Sequence, residues 1–285
     1  MKGRPVILDG AAGTLLWEMA EKAGIPREPV WKYSLEHSEL AKALSRAYLE
    51  AGSRMIQTNT FAANDYSVER TSSYSVEEVV AASVRLAKEA AQAYAEEKHC
   101  EAAKVYLSSG PLSVLMEPYG IVSAGEVEAI YRKIMKAAAA EKPDFILLET
   151  FMDLQMMRAA AGAALETGLP VICSFSFAKK GRTMMGDRVS QIVQTLEPMG
   201  VAAFGVNCSS GPQETLPVLR EFAGCTEKPL WYKPNLGTGE NVLGIEEFAE
   251  AVRPALGLAD YLGACCGSSP AYIRRLAELA AEMPD

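Results

Sequence analysis

Three of the six cysteines in this 285-residue chain stand where they could act together. Cys208 closes the apolar run Ala203–Cys208, and Cys265 and Cys266 close the run Tyr261–Cys266. A single cysteine at a strand end is usually a small buried hydrophobe. An adjacent pair is different: neighbours within a strand point to opposite faces, so both thiols converge only where the strand breaks, which Gly267 permits. A disulfide between neighbouring residues is strained. Three clustered thiolates suit Zn²⁺, one ion per chain, with zinc–sulfur distances of about 2.3 Å. No fourth ligand is evident, since the only histidines, His37 and His99, lie in polar contexts. A zinc with three protein ligands keeps an open position, which marks catalysis rather than structure. An incoming thiol bound there loses its proton, whereas a free thiol, with a pKa of about 8.5, is mostly protonated at neutral pH. The chemistry that follows is S-alkylation, the attack of an activated sulfur on a methyl group.

Other apolar runs also end in polar residues. Asp9-Gly10-Ala11-Ala12-Gly13-Thr14 follows the first, Thr58-Asn59-Thr60 ends the second, Glu149 and Lys233-Pro234-Asn235 end two more, and Asn207 precedes Cys208 in its run. Each has a packing explanation. Asp9-Gly10 starts a turn well, Glu149 can pair with a lysine or arginine because a buried carboxylate needs a partner, and Asn59, Asn207 and Asn235 can satisfy loop backbone. Taken together they offer a site. Asp9 and Glu149 can hold an ammonium through charge-assisted hydrogen bonds, and the backbone N–H groups of Gly10–Thr14, at a helix start, can hold a carboxylate. A thiol with an amino-acid head group fits both halves.

The elements that must position these residues alternate. Eight short apolar runs read as strands: Val6–Gly10, Met55–Phe61, Val105–Gly110, Phe145–Phe151, Val171–Phe177, Ala203–Cys208, Leu230–Asn235 and Tyr261–Cys266. Their continuous apolar character is that of parallel strands covered on both faces. Helical patterns lie between them, among them Leu35–Ala51, Val76–Glu97 and Gly125–Glu141, the last preceded by a Ser123/Glu126 capping box. Eight such repeats predict an α/β fold, a (β/α)8 TIM barrel, in one domain spanning 1–285. An open doubly wound sheet is the alternative, but no G-x-G-x-x-G follows the first strand. The stretches Leu16–Tyr33 and Asn64–Tyr74 are long for connecting loops and are expected to wall the pocket.

Composition excludes several classes of partner. The net charge is −8 with no basic stripe, which argues against nucleic acid. No apolar run approaches the ~18 residues that cross a bilayer, and the N-terminus lacks the blocks of a signal peptide. The chain therefore reads as cytoplasmic, where cysteines serve as thiols or ligands rather than disulfides. Cys173 sits inside an apolar run, and Cys100 and Cys225 lie in polar surroundings.

The segments D-G-A-A-G-T (9–14), T-N-T-F (58–61), E-T-F (149–151), G-V-N-C-S-S-G-P (205–212), K-P-N-L-G (233–237) and G-A-C-C-G-S-S-P (263–270) together resemble the homocysteine S-methyltransferase family over essentially the whole chain. The resemblance implies zinc on Cys208, Cys265 and Cys266, and homocysteine held by Asp9, Glu149 and the backbone at Gly10 and Ala11; Asn59 and Asn235, at their strand ends, are further candidates for binding it. Members using S-methylmethionine or S-adenosylmethionine tend to carry arginine after the cysteine pair, where this chain has Gly267. Leu236 replaces a small residue and is expected to narrow the region near the methyl donor. N-C-S-S-G-P is more similar to the homocysteine module of cobalamin-dependent methionine synthase, yet no D-x-H-x-x-G corrinoid segment is present. The expected donor is therefore methylcobalamin on a separate corrinoid protein. The alternatives are S-methylmethionine, S-adenosylmethionine or betaine as donor, or a zinc- and thiol-binding subunit without turnover.

Overall fold

The computed structural model describes residues 3–178, 181–238 and 241–283. Eight strands form one parallel sheet: β1 (Val6–Ile7), β2 (Met55–Gln57), β3 (Lys104–Ser109), β4 (Phe145–Phe151), β5 (Val171–Phe175), β6 (Ala203–Cys208), β7 (Leu230–Pro234) and β8 (Tyr261–Leu262). Their order is β1-β8-β7-β6-β5-β4-β3-β2, and a parallel bridge from Leu8 to Met55 joins the two ends, so the sheet curls into a ring. This is the expected (β/α)8 barrel. A two-stranded piece, Gly237–Thr238 with Asn241–Val242, follows β7.

Helices follow the strands and cover the ring. Val76–Lys98 and Ala124–Glu141 each begin at a reciprocal capping box, Ser75/Glu78 and Ser123/Glu126. In each, the serine oxygen accepts the N–H of the third helical residue and the glutamate accepts the serine N–H. The bore is filled at its base by Tyr106, Phe145 and Trp231, whose rings lie 5.1–6.0 Å apart. That aromatic plug closes the barrel from below and leaves the space above it for polar groups. No helix among the described residues is long and apolar enough to cross a membrane. At the base the first and last described segments meet, with Arg4 Nε donating to the Met283 carbonyl at 2.9 Å.

Three strands are shorter than the apolar runs predict. β1, β2 and β8 stop at Ile7, Gln57 and Leu262, three or four residues early. The reason is local. The Gln57 N–H is taken by Asp9 Oδ2 (2.7 Å) instead of a neighbouring carbonyl, whereas beyond Leu262 the chain keeps two bonds to β7, from Gly263 N to the Tyr232 carbonyl (3.0 Å) and from Cys265 N to the Pro234 carbonyl (2.8 Å). Asp9 therefore leaves the ladder, Cys265 stays hydrogen-bonded to β7, and the Cys266 N–H goes to Asn235 Oδ1. The long stretch after β1 also differs from expectation, because Ala12–Lys22 is helical with Leu16 and Ala20 buried four residues apart. Its remainder, with Pro29, Val30 and Trp31, does wall the pocket, whereas of Asn64–Tyr74 only Ser67 reaches it. That second loop is folded by the Asn64 side chain, whose Oδ1 accepts the Tyr66 and Ser67 N–H groups.

Candidate active site

The two cysteine-bearing strand ends lie close together because β6 and β8 flank β7. Cys208 (φ 54°) and Ser209 (φ 64°) turn the chain out of β6 in the left-handed region, a conformation that costs roughly 1–2 kcal/mol per residue. Gly267 (φ 87°) makes the corresponding turn after the pair. Asn235 splices the two turns, its Oδ1 accepting the Cys266 N–H (3.1 Å) and its Nδ2 donating to the Ser209 carbonyl (3.3 Å). The result is a triangle of thiols. Cys208 Sγ lies 3.1 Å from Cys265 Sγ and 3.6 Å from Cys266 Sγ, and all three fall within 4.8 Å of one another.

This donor set fits a tetrahedral zinc, whose sulfur–sulfur edges are about 3.8 Å for bonds of about 2.3 Å. The charge argument agrees. Hydrogen bonds from Cys208 and Cys265 hold the Cys266 thiol well below the usual range, while the same contacts and burial raise Cys208. Hydrogen bonding to Cys208 lowers Cys265, but Cys266 and burial outweigh it and leave that thiol at about 11. A divalent cation is what would let all three thiols ionise.

Below and beside the thiols lie two buried carboxylates with different surroundings. Glu149 Oε1 accepts from Ser108 Oγ (2.5 Å) and Oε2 from Asn207 Nδ2 (3.2 Å). Asn207 is itself held, its Oδ1 accepting from Ser174 Oγ (2.7 Å) and the Thr150 N–H (2.9 Å). Burial pushes Glu149 up to about 7, against the opposing pull of Lys233. Asp9 is fully engaged. Its Oδ1 accepts from Lys233 Nζ (2.7 Å) and Tyr106 OH (2.6 Å), and its Oδ2 from Gln57 N. Burial alone would lower the Lys233 ammonium, but Asp9, Glu149 and Cys265 outweigh it and raise it.

A cavity of about 460 Å³ opens above these groups. Trp17, Pro29, Val30, Trp31, Phe61 and Ala62 form its apolar wall, and the three cysteines, Glu149 and Lys233 form its polar side. Of the residues predicted from sequence, Gly10, Ala11, Asn59, Glu149, Cys208, Cys265 and Cys266 line it, whereas Asp9 and Asn235 lie behind them. Gly10 is required there, since a Cβ would sit 2.6 Å from Ser268 Oγ and 2.8 Å from the Tyr48 ring. The Ala11 N–H is already taken by Ser268 Oγ (2.9 Å), so the unengaged end of the glycine-rich turn is Gly13–Thr14, where Thr14 Oγ1 is buried without a partner. Leu236 differs from expectation. It is 1% exposed and packs on Gly267 rather than narrowing the cavity.

Sequence reasoning notes Lys233 only as a polar residue ending an apolar run, and gives no role to Lys233, Tyr106 or Ser108. The available signal is a lysine inside the otherwise apolar run Leu230–Pro234, all of which is buried. Cys173 is buried, and Cys100 and Cys225 are exposed, away from the site.

Comparison with known proteins places this geometry. The sequence profile of the family described as homocysteine S-methyltransferase matches residues 6–280. The methionine synthase of Mycobacterium tuberculosis is 27% identical over 263 residues, covering 86% of this chain but 22% of that protein, so the chain spans about a fifth of that relative's length. Betaine–homocysteine S-methyltransferase 1 of Xenopus laevis is 27% identical over 306 residues, covering 97% of this chain and 73% of that one. The metallated form of the homocysteine methyltransferase MmuM of Escherichia coli superposes with a TM-score of 0.82 at 24% identity, over 97% of this chain and 96% of that one, and shares its fold. With its profile matched from β1 to the last helix, this chain belongs to the homocysteine S-methyltransferase family.

Proposed function

We propose that the chain transfers a methyl group to the thiol of L-homocysteine, giving methionine, from a methylated corrinoid carried by a separate protein. The observation that carries this reading is the thiol triangle, drawn from two strand ends 57 residues apart, beside a buried carboxylate in one cavity. Cys208, Cys265 and Cys266 would hold zinc, which when bound supplies a Lewis-acidic position at which a thiol is deprotonated. The rest is the work of the chain's own side chains. Glu149, fixed by Ser108 and Asn207, accepts the substrate ammonium. The Gly13 and Thr14 N–H groups and the Thr14 hydroxyl face the substrate carboxylate at the start of the helix Ala12–Lys22. Asp9, already engaged by Lys233 and Tyr106, supports this floor from beneath, and Asn235 holds the two cysteine turns in register. Trp17, Trp31 and Phe61 keep water from the sulfur.

The corrinoid assignment is supported by N-C-S-S-G-P at 207–212 and by glycine at 267. Gly267 has φ 87° with Leu236 packed against it, so an arginine there would be strained. A second reading, betaine as donor, is supported by the equal identity to the Xenopus laevis enzyme, of which the chain covers a larger share. Zinc-loaded protein mixed with homocysteine and methylcobalamin is expected to yield methionine. Turnover with betaine, S-methylmethionine or S-adenosylmethionine but none with methylcobalamin would overturn the donor assignment. Homocysteine binding without turnover from any donor would point to a thiol-binding subunit.

A further inference from the structure

Two buried carboxylates beside one cavity call for a cation, because a carboxylate buried without a partner is costly. This chain brings its own. Lys233, 1% exposed, is the one charged residue of β7, whose others are Leu, Trp, Tyr and Pro. Its Nζ donates to Asp9 Oδ1 (2.7 Å) and to Tyr106 OH (3.1 Å). Lys233 and Glu149 both line the cavity, while Asp9 lies behind them. The ammonium paired with Asp9 therefore belongs to the protein, and its charge also reaches Glu149.

No carboxylate oxygen on this floor waits for a donor. Asp9 Oδ1 accepts from Lys233 and Tyr106, and its Oδ2 from the Gln57 N–H. Glu149 Oε1 accepts from Ser108, and its Oε2 from Asn207. A site built to hydrogen-bond a substrate N–H rejects an analogue lacking it by about 10⁴-fold or more, because its own buried groups are then left unpaired. Here none is left so. A substrate ammonium can still add to Glu149, whose oxygens have lone pairs to spare, but its absence strands nothing. An ammonium without Glu149 would be unpaired, whereas removing the ammonium itself removes that cost as well. Among the described residues lining the cavity, the buried side-chain oxygen without a partner is Thr14 Oγ1, in the first turn of the helix Ala12–Lys22, where an anion is favoured. The unmet demand in this cavity is for a carboxylate, not for an ammonium.

We infer that the chain also methylates thiol acids that carry no amino group, of the class of γ-mercaptobutyrate, with Lys233 standing in for the ammonium of homocysteine. The inference rests on the methyl-transfer reading above and names a second acceptor for the same site. Such a molecule keeps the thiol, the carbon chain and the carboxylate of homocysteine. In the transfer the sulfur–carbon bond forms from a sulfur electron pair, and the cobalt–carbon bond of the methylated corrinoid breaks with its pair left on cobalt. The thiol proton goes to solvent, and the product is γ-(methylthio)butyrate. Lys233 is here a positioning residue: it holds Asp9 satisfied and away from the ligand.

The test titrates zinc-loaded protein with L-homocysteine and with γ-mercaptobutyrate by calorimetry, and follows methyl transfer to each from methylcobalamin. Wild type is expected to bind the two thiols within tenfold of each other and to methylate both. In Lys233→Met the ligand must bring the missing cation, so the preference for homocysteine should widen at least tenfold. A wild-type preference for homocysteine greater than tenfold would overturn the inference and leave the homocysteine reading intact. So would a preference that Lys233→Met does not widen, or methionine formed without γ-(methylthio)butyrate. Binding of neither thiol, or product from neither, would overturn both. Should Lys233→Met fail to fold, the wild-type titrations and product analysis decide alone.

Discussion

At the scale of single residues, the two buried carboxylates have parted roles, and the difference is testable. Glu149 rises to about 7 because burial penalises its charge. An ammonium needs the ionised form, so homocysteine affinity should fall about tenfold per pH unit below that value and level off above it. Glu149→Gln should weaken binding by about 10- to 100-fold, the worth of a charge-assisted hydrogen bond, and flatten the pH profile in a calorimetric titration. The same shift bears on stability. With a folded pKa above the ordinary 4.5, the native state binds the extra proton between 4.5 and about 7, so stability falls as pH rises through that window. Denaturant unfolding at pH 8 should find the glutamine variant more stable by on the order of 1–3 kcal/mol. Asp9 behaves otherwise. Lys233→Met strands it as a buried charge and should cost about 3–5 kcal/mol, much of it recovered in the Asp9→Asn/Lys233→Met double variant. This pairing was not legible in sequence. The polar ends of apolar runs marked both residues as site candidates, but nothing in a strand's own pattern says whether its terminal carboxylate meets substrate or a lysine 224 positions away.

At the scale of elements, the site is made by strands that stop early. The apolar runs revealed eight strands and their order along the chain, and the Ser123/Glu126 pair revealed a helix start that the structure reproduces. They overstated β1, β2 and β8, because an apolar pattern does not show that Asp9 takes the Gln57 N–H, or that the bonds of Gly263 and Cys265 to β7 lie beyond the regular strand. Asn235 shows the same limit: its position at a strand end marked it as a candidate for binding substrate, but its task of joining two turns belongs to the tertiary fold. Asn235→Ala should leave the barrel intact by circular dichroism while loosening both cysteine turns. Zinc affinity, measured by competition with a chelator, should drop about 10- to 100-fold, as for removal of groups that orient metal ligands.

At the scale of the whole molecule, the barrel separates duties between its ends. The aromatic plug packs the base and touches the site only through the Tyr106 hydroxyl on Asp9, and the rim carries the thiols, the carboxylates and the exposed apolar loops. The contact of Arg4 with Met283 places the ends of the described chain on the base. A circular permutant joining these ends, and reopened in a base loop, should keep homocysteine binding within about twofold by calorimetry, since no site residue lies near the junction. The same contact sets a rule for tethering. Any segment fused at either end starts on the side away from the thiols, and must climb a wall as tall as the 18-residue helix Ala124–Glu141, about 27 Å. At about 3.3–3.6 Å per extended residue, a leash shorter than roughly eight residues cannot deliver its cargo to the rim.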